Sequence, residues 1–166
     1  MNNFKVLSLI IMGIAIFVIS ITLIKFLLKK SKINEEKTFT LSYSIWAASL
    51  LIAFSILDTK LLVIFSEALD IVYKINVSNP FTEIIRTAVI FLAISYTWFW
   101  ISYVLNNYII ILLIGKRVNS YEMENNNYFY FSMKGISMIC LNNCLLIVFE
   151  NLLRTFLPNI STPFYH

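Results

Sequence analysis

Five polar residues stand in an apolar setting. Lys134, Asn142, Asn143, Glu150 and Arg154 all lie in the Leu-, Ile-, Phe- and Met-rich run from Tyr128 to Leu157. A polar group facing lipid is costly, so several on one run of membrane-spanning length point toward protein or water. At about 3.6 residues per turn, Asn143, Glu150 and Arg154 share a helical face, with Cys140 and Ile147 between them. Glu150 precedes Arg154 by four residues, the favourable order for an ion pair. Two readings stay open for this stripe. It lines a water-filled path, or it is an ion pair at the outer interface with Asn143 bonded to a neighbouring helix.

Lys134 falls on the opposite face, six residues into the run, where its long stem is expected to snorkel to the headgroups; the sharper reading is a gate or a ligand contact. Ser44, Ala48, Leu51, Ser55 and Asp58 form a second stripe, and Ser95, Ser102 and Asn106 a third. Small and hydroxylated residues at this spacing either let helices pack closely or line a pore. Enzymatic constellations are missing. The one histidine is His166, and Gly13, Gly115 and Gly135 make neither a P-loop nor a dinucleotide fingerprint. Cys140 and Cys144 have no zinc-type spacing. No enzyme, metal or cofactor is expected.

The elements that must position these residues follow from composition. Of 166 residues 59% are apolar and 13% charged, and the mean hydropathy is +0.79. Gly and Pro are scarce at three each, which favours long helices, and the apolar runs are continuous where a β-barrel would alternate. The pattern predicts an all-α transmembrane domain, a four-helix bundle filling 1–166 with spans near 4–28, 39–57, 84–114 and 128–150. The first run lacks a cleavage site and reads as an uncleaved span. Between spans two and three, Leu61, Ile64, Phe65, Ala68 and Val72 share one face and Glu67, Asp70 and Lys74 the other. This predicts an amphipathic outer segment over 61–75, lying on the membrane or continuing span two against a partner. Asn76-Val77-Ser78 after it matches a glycosylation sequon and is read simply as a break.

The net charge of +4 is concentrated in two places: Lys29, Lys30, Lys32 and Lys37 after the first span, and Lys116 and Arg117 after the third. That is a positive-inside signature, putting both basic loops in the cytoplasm and both termini outside. These six residues are also the candidates for contact with anionic lipid or another anionic ligand. Lys29-Lys30 and Lys116-Arg117 are 87 residues apart, as are Glu35 and Glu122. Each half reads as an apolar span, a basic pair, an acidic loop and an aromatic-led second span, which predicts a tandem repeat of two-helix units.

In this order of parts, and in its second and fourth spans (Ser44–Ile56 and Ser132–Val148), the chain resembles a widespread bacterial family of duplicated two-helix, four-span membrane proteins of unknown function. It departs from that family in lacking glycine-rich spans. In size and span count, without a shared motif, it is similar to small membrane effectors of bacterial anti-phage systems, the Hailong channel component among them. These resemblances imply a bacterial inner-membrane protein. Four helices with few charges enclose no wide aqueous path, so a pore requires a homo-oligomer. The leading expectation is an oligomeric ion channel or effector among membrane lipids, regulated at the cytoplasmic face by an anionic nucleotide or oligonucleotide or a soluble protein. The alternative is a non-conducting scaffold or anchor subunit. A transporter is disfavoured because no Gly/Pro-broken helix is evident.

Overall fold

The computed structural model describes residues 3–30, 40–75 and 79–158, without the side chains of Lys30 and Ile75. Lys32 and Lys37, the sequon over 76–78 and His166 lie outside the described residues. Among those described, every regular element is a helix: α1 (Asn3–Lys30), α2 (Leu41–Ile75), α3 (Pro80–Ile114), α4 (Asn119–Glu124), α5 (Tyr128–Cys144) and α6 (Leu146–Arg154). At about 1.5 Å per residue, α1 reaches about 42 Å and α2 and α3 about 52 Å, ample for a hydrocarbon layer of about 30 Å. These three are apolar enough to cross a membrane, and α5 with α6 makes a fourth such unit bent by 45°. The chain is a multi-pass helical membrane protein.

Local signals explain the helix ends. Thr40 and Asn127 cap α2 and α5 alike, each side-chain oxygen accepting the backbone N–H three residues on, from Tyr43 at 3.3 Å and Tyr130 at 3.1 Å. Pro80 opens α3, where its missing donor costs nothing. Gly115 closes α3 at φ 86°, a backbone that a side chain would strain, with its N–H donating to Ile111 O.

Helix α2 is the axis of the bundle. It packs against α1, α3, α5 and α6, and its interface with α5 is the largest. Their crossing is tight because α5 brings Gly135 to it, where a Cβ would overlap the Ser49 side chain. Lipid is as apolar as leucine, so burying apolar area adds little here; dispersion contacts and interhelical hydrogen bonds hold the helices together. Trp46, Leu50, Phe54, Leu57, Phe65, Phe91, Phe99 and Phe131 fill the centre, with Phe54 and Phe99 stacked at 3.7 Å between ring centroids. Helix α1 is peripheral. It turns Met12, Ile16, Ser20, Ile24 and Leu27 inward and leaves Phe4, Ile10, Ile14 and Phe17 outward.

The expected end of span two is not a helix end. Helix α2 runs unbroken through Asp58 and Lys60, and the apolar face of 61–75 (Leu61, Ile64, Phe65, Ala68, Val72) is buried in the bundle. Of the two readings of that segment, this is span two continuing outward against protein.

Candidate functional site

Among the described residues, three of the clusters of polar side chains hold the sequence-predicted site residues, and they differ in how completely they are satisfied. The first is interior. The buried stripe of α3 reads Thr87, Phe91, Ser95, Phe99, Ser102, Asn106 and Ile110 and faces the groove between α2 and α5. Asn106 donates to Lys134 O at 3.1 Å, locking α3 to α5. Lys134 is 1% exposed. Its ammonium donates to Asn119 Oδ1 at 2.9 Å and lies 5.0 Å from the centroid of Trp46, 5.8 Å from that of Tyr103 and 5.9 Å from that of Tyr130. Three ring faces therefore supply the negative potential that a carboxylate would otherwise give.

The expected snorkelling of Lys134 is thus corrected. The short helix α4 closes the basic end of the bundle beneath it, so the ammonium meets Asn119 rather than headgroups. Asn119 Oδ1 also accepts from the Tyr130 hydroxyl at 2.8 Å. The cap is held by Glu122, which is buried and takes Arg117 at 3.0 Å and Asn127 at 2.6 Å. Those two donors hold its carboxyl below the ordinary carboxylate range. Asn126, at φ 50°, accepts the Ser42 N–H and closes the turn onto α2.

Outward from Lys134, several buried polar atoms have no hydrogen-bond partner in the protein: Ser102 Oγ, Asn106 Oδ1, Ser95 Oγ and Asn142 Oδ1. Asn142 donates its amide to Met138 O on its own helix. Of the two readings of that stripe, Ser102 and Asn106 follow the packing one, facing the inside of their own bundle.

The second cluster lies further from α4, between α6 and the middle and outer parts of α2. The stripe Asn143–Glu150–Arg154 does not hold together, because the helix breaks at Leu145 and bends by 45° without Gly or Pro. Asn143 stays exposed on α5. Glu150 and Arg154 turn toward α2, where Lys60 meets Glu150 at 2.9 Å and Arg154 bridges Glu150 and Glu67. Two cations and two anions alternate, a chain that clamps α6 to α2. A broken helix is therefore present, though neither Gly nor Pro marks the break.

The third cluster joins α1 to α2. Ser20, 3% exposed, donates to Asp58 Oδ2 at 3.0 Å, and the Tyr96 hydroxyl donates to Ile16 O at 3.2 Å. Ser44 and Ser55, on the same stripe of α2 as Asp58, are exposed and donate to carbonyls of their own chain, Thr40 O at 3.3 Å and Ile52 O at 2.8 Å. At the basic end, Lys116 and Arg117 line an open hollow of about 610 Å³ with Ser120 and Tyr121.

Sequence reasoning missed Asn119, the aromatic box, and the Ser20–Asp58 contact. Each of these joins partners on different helices, so periodicity along one helix carries no signal for it. None of the described residues forms a cluster of three or more metal-type ligands. The chain matches no protein-family model, no curated protein and no solved structure.

Proposed function

We propose that this chain is the protomer of a homo-oligomeric, ion-conducting protein of the bacterial inner membrane, with the outward face of α5 turned to neighbouring copies. The observation that carries this reading is Asn143. Its side chain is exposed between Cys140, Cys144 and Ile147 and has no partner among the described residues. Ser44 and Ser55 satisfy themselves on their own helix and need no neighbour; an amide at this depth does. Copies that meet on this face place a ring of asparagine amides at their common axis, where ions shed part of their water against amide dipoles.

Lys29, Lys116 and Arg117 gather at one end of the bundle, which supports a cytoplasmic basic end with both termini outside. The matching caps at Thr40 and Asn127 are 87 residues apart, as are the paired Glu67 and Arg154, which supports two tandem two-helix units related by an axis along the membrane normal. Regulation by an anionic nucleotide or oligonucleotide, or by a soluble partner, falls on the hollow beside Lys116, since Arg117 is already committed to Glu122. An anti-phage effector role rests on the likeness in size and plan.

The native cysteines make the test direct. Mild oxidation of the protein in liposomes should give a disulfide-linked dimer through Cys140 or Cys144. The same liposomes should pass ions, and Asn143→Leu should change the current while leaving the cross-link in place. A cross-linked, well-folded preparation that passes no ions, with or without anionic ligands, favours the scaffold reading instead.

A further inference from the structure

The Asp58 carboxylate is at hydrocarbon depth. It contacts Ser20, which lies in the charge-free stretch of α1 from Val6 to Ile24, and sits near Tyr96, in the charge-free stretch of α3 from Thr87 to Ile114. A lone carboxylate at that depth must be neutralised by a bound charge, by a proton or by a paired cation. The protein supplies no pairing cation among the described residues. From α1 the carboxylate meets Ser20, and the nearest charge on that helix, Lys25, is about 7.5 Å further along its axis and exposed. From α3 the nearest ionisable group is Tyr96, whose proton is donated to Ile16 O. On α2 itself Lys60 points to the other side and is bound to Glu150, since residues two apart on a helix do not face each other. Helices α5 and α6 pack on that far side.

Beside the carboxylate is a crevice of about 270 Å³ between α1 and α2, lined by Phe17, Ser20, Leu51, Phe54, Ser55 and Asp58. Ser20 occupies Oδ2, and Oδ1 makes no hydrogen bond among the described residues. The Ser55 hydroxyl gives its proton to Ile52 O, leaving its lone pairs for an electropositive guest.

We propose that Asp58, with Ser20, Ser55 and the crevice between α1 and α2, is an exchangeable binding site for one monovalent cation, a proton or Na⁺. The site is complete within one protomer and does not depend on the oligomeric pore, so a test that reads binding is independent of the flux result.

The experiment is labelling with dicyclohexylcarbodiimide, an apolar reagent that enters the bilayer and reacts with a protonated carboxyl. The O–H adds across one C=N bond to give an O-acylisourea, which rearranges to a stable N-acylurea with no atom lost. Labelling of the full chain in liposomes, mapped by peptide mass, should fall on Asp58 and be abolished by Asp58→Asn. Above the midpoint it should decline about tenfold per pH unit. If Na⁺ is the guest, NaCl should suppress labelling further than choline chloride at equal ionic strength; equal curves identify the proton. Ser55→Leu, which narrows the crevice and leaves the carboxyl in place, should slow labelling. The proposal is overturned if Asp58 stays unlabelled at every pH that preserves the helical circular dichroism, or if its labelling ignores both pH and Na⁺. Unchanged labelling of Ser55→Leu overturns the crevice as the route to the site.

Discussion

Lys134 and Asp58 are both ionisable residues in membrane-crossing helices, and the bundle treats them in opposite ways. The ammonium is 1% exposed, fenced by Trp46, Tyr103 and Tyr130 and held by Asn119. The carboxylate is half-buried, touches one hydroxyl and opens on a crevice. A charge at membrane depth needs compensation, and compensation can be built in or left to a guest. Around Lys134 it is built in, by ring faces and an amide oxygen contributed by four elements. Around Asp58 it is not, because α1 is a peripheral helix that closes only one side of the carboxylate.

The largest effect is expected at the interior charge. Lys134→Glu should be the most damaging substitution, costing about 3–5 kcal/mol, because it sets an anion against three ring faces and the Asn119 carbonyl. The measurement is reversible unfolding in mixed micelles, and a loss below about 1 kcal/mol would show that the box does not compensate the charge. Lys134→Met should cost much less than Lys134→Glu, since a neutral stem of similar length needs no compensation. Asn119→Ala comes next. It orphans the ammonium and the Tyr130 hydroxyl together, for about 2–3 kcal/mol, and should also raise protease cleavage around α4. Asp58→Asn should cost only about 1 kcal/mol or less, because an amide oxygen can still accept from Ser20. A cost equal to that of Asn119→Ala would mean the two charges are equally structural.

The smallest effect concerns the cap. Glu122 has a carboxyl held below its ordinary value of 4.5 by Arg117 and Asn127. Its contribution is therefore fully present above the unfolded value and is lost as pH falls through the lower folded value. Protease sensitivity of the α4 turn should rise only in acid, below the ordinary carboxylate value, and Glu122→Gln should flatten that dependence.

Much of the architecture was legible in residue order. Long apolar runs with little Gly, Pro or charge make helices that water rejects, whatever they pack against, so the membrane class follows from composition, whereas the short α4 and the break at Leu145 did not. Cap chemistry at Thr40, Pro80, Gly115 and Asn127 is local, and so is the face shared by Leu61, Ile64, Phe65, Ala68 and Val72.

The candidate site was much less legible, and the physical reason is the solvent. In water an apolar stripe announces the inward face of a helix; in lipid both faces are apolar and that signal fades. Periodicity could say that Asn142 and Asn143 lie about 100° apart, and only packing decided that Asn142 turns in and Asn143 out. Likewise, Asp58 and Lys60 looked like the outer edge of a span until α1 and α3 placed charge-free helix beside the carboxylate and α6 brought Glu150 to the lysine. Residue order set which side chains share a face within an unbroken helix, and it did not foresee the break at Leu145 that parts Asn143 from Glu150. The tertiary structure decided which faces meet, because that choice rests on shape and on polar partners far apart in the chain, such as Ser20 with Asp58 and Asn119 with Lys134.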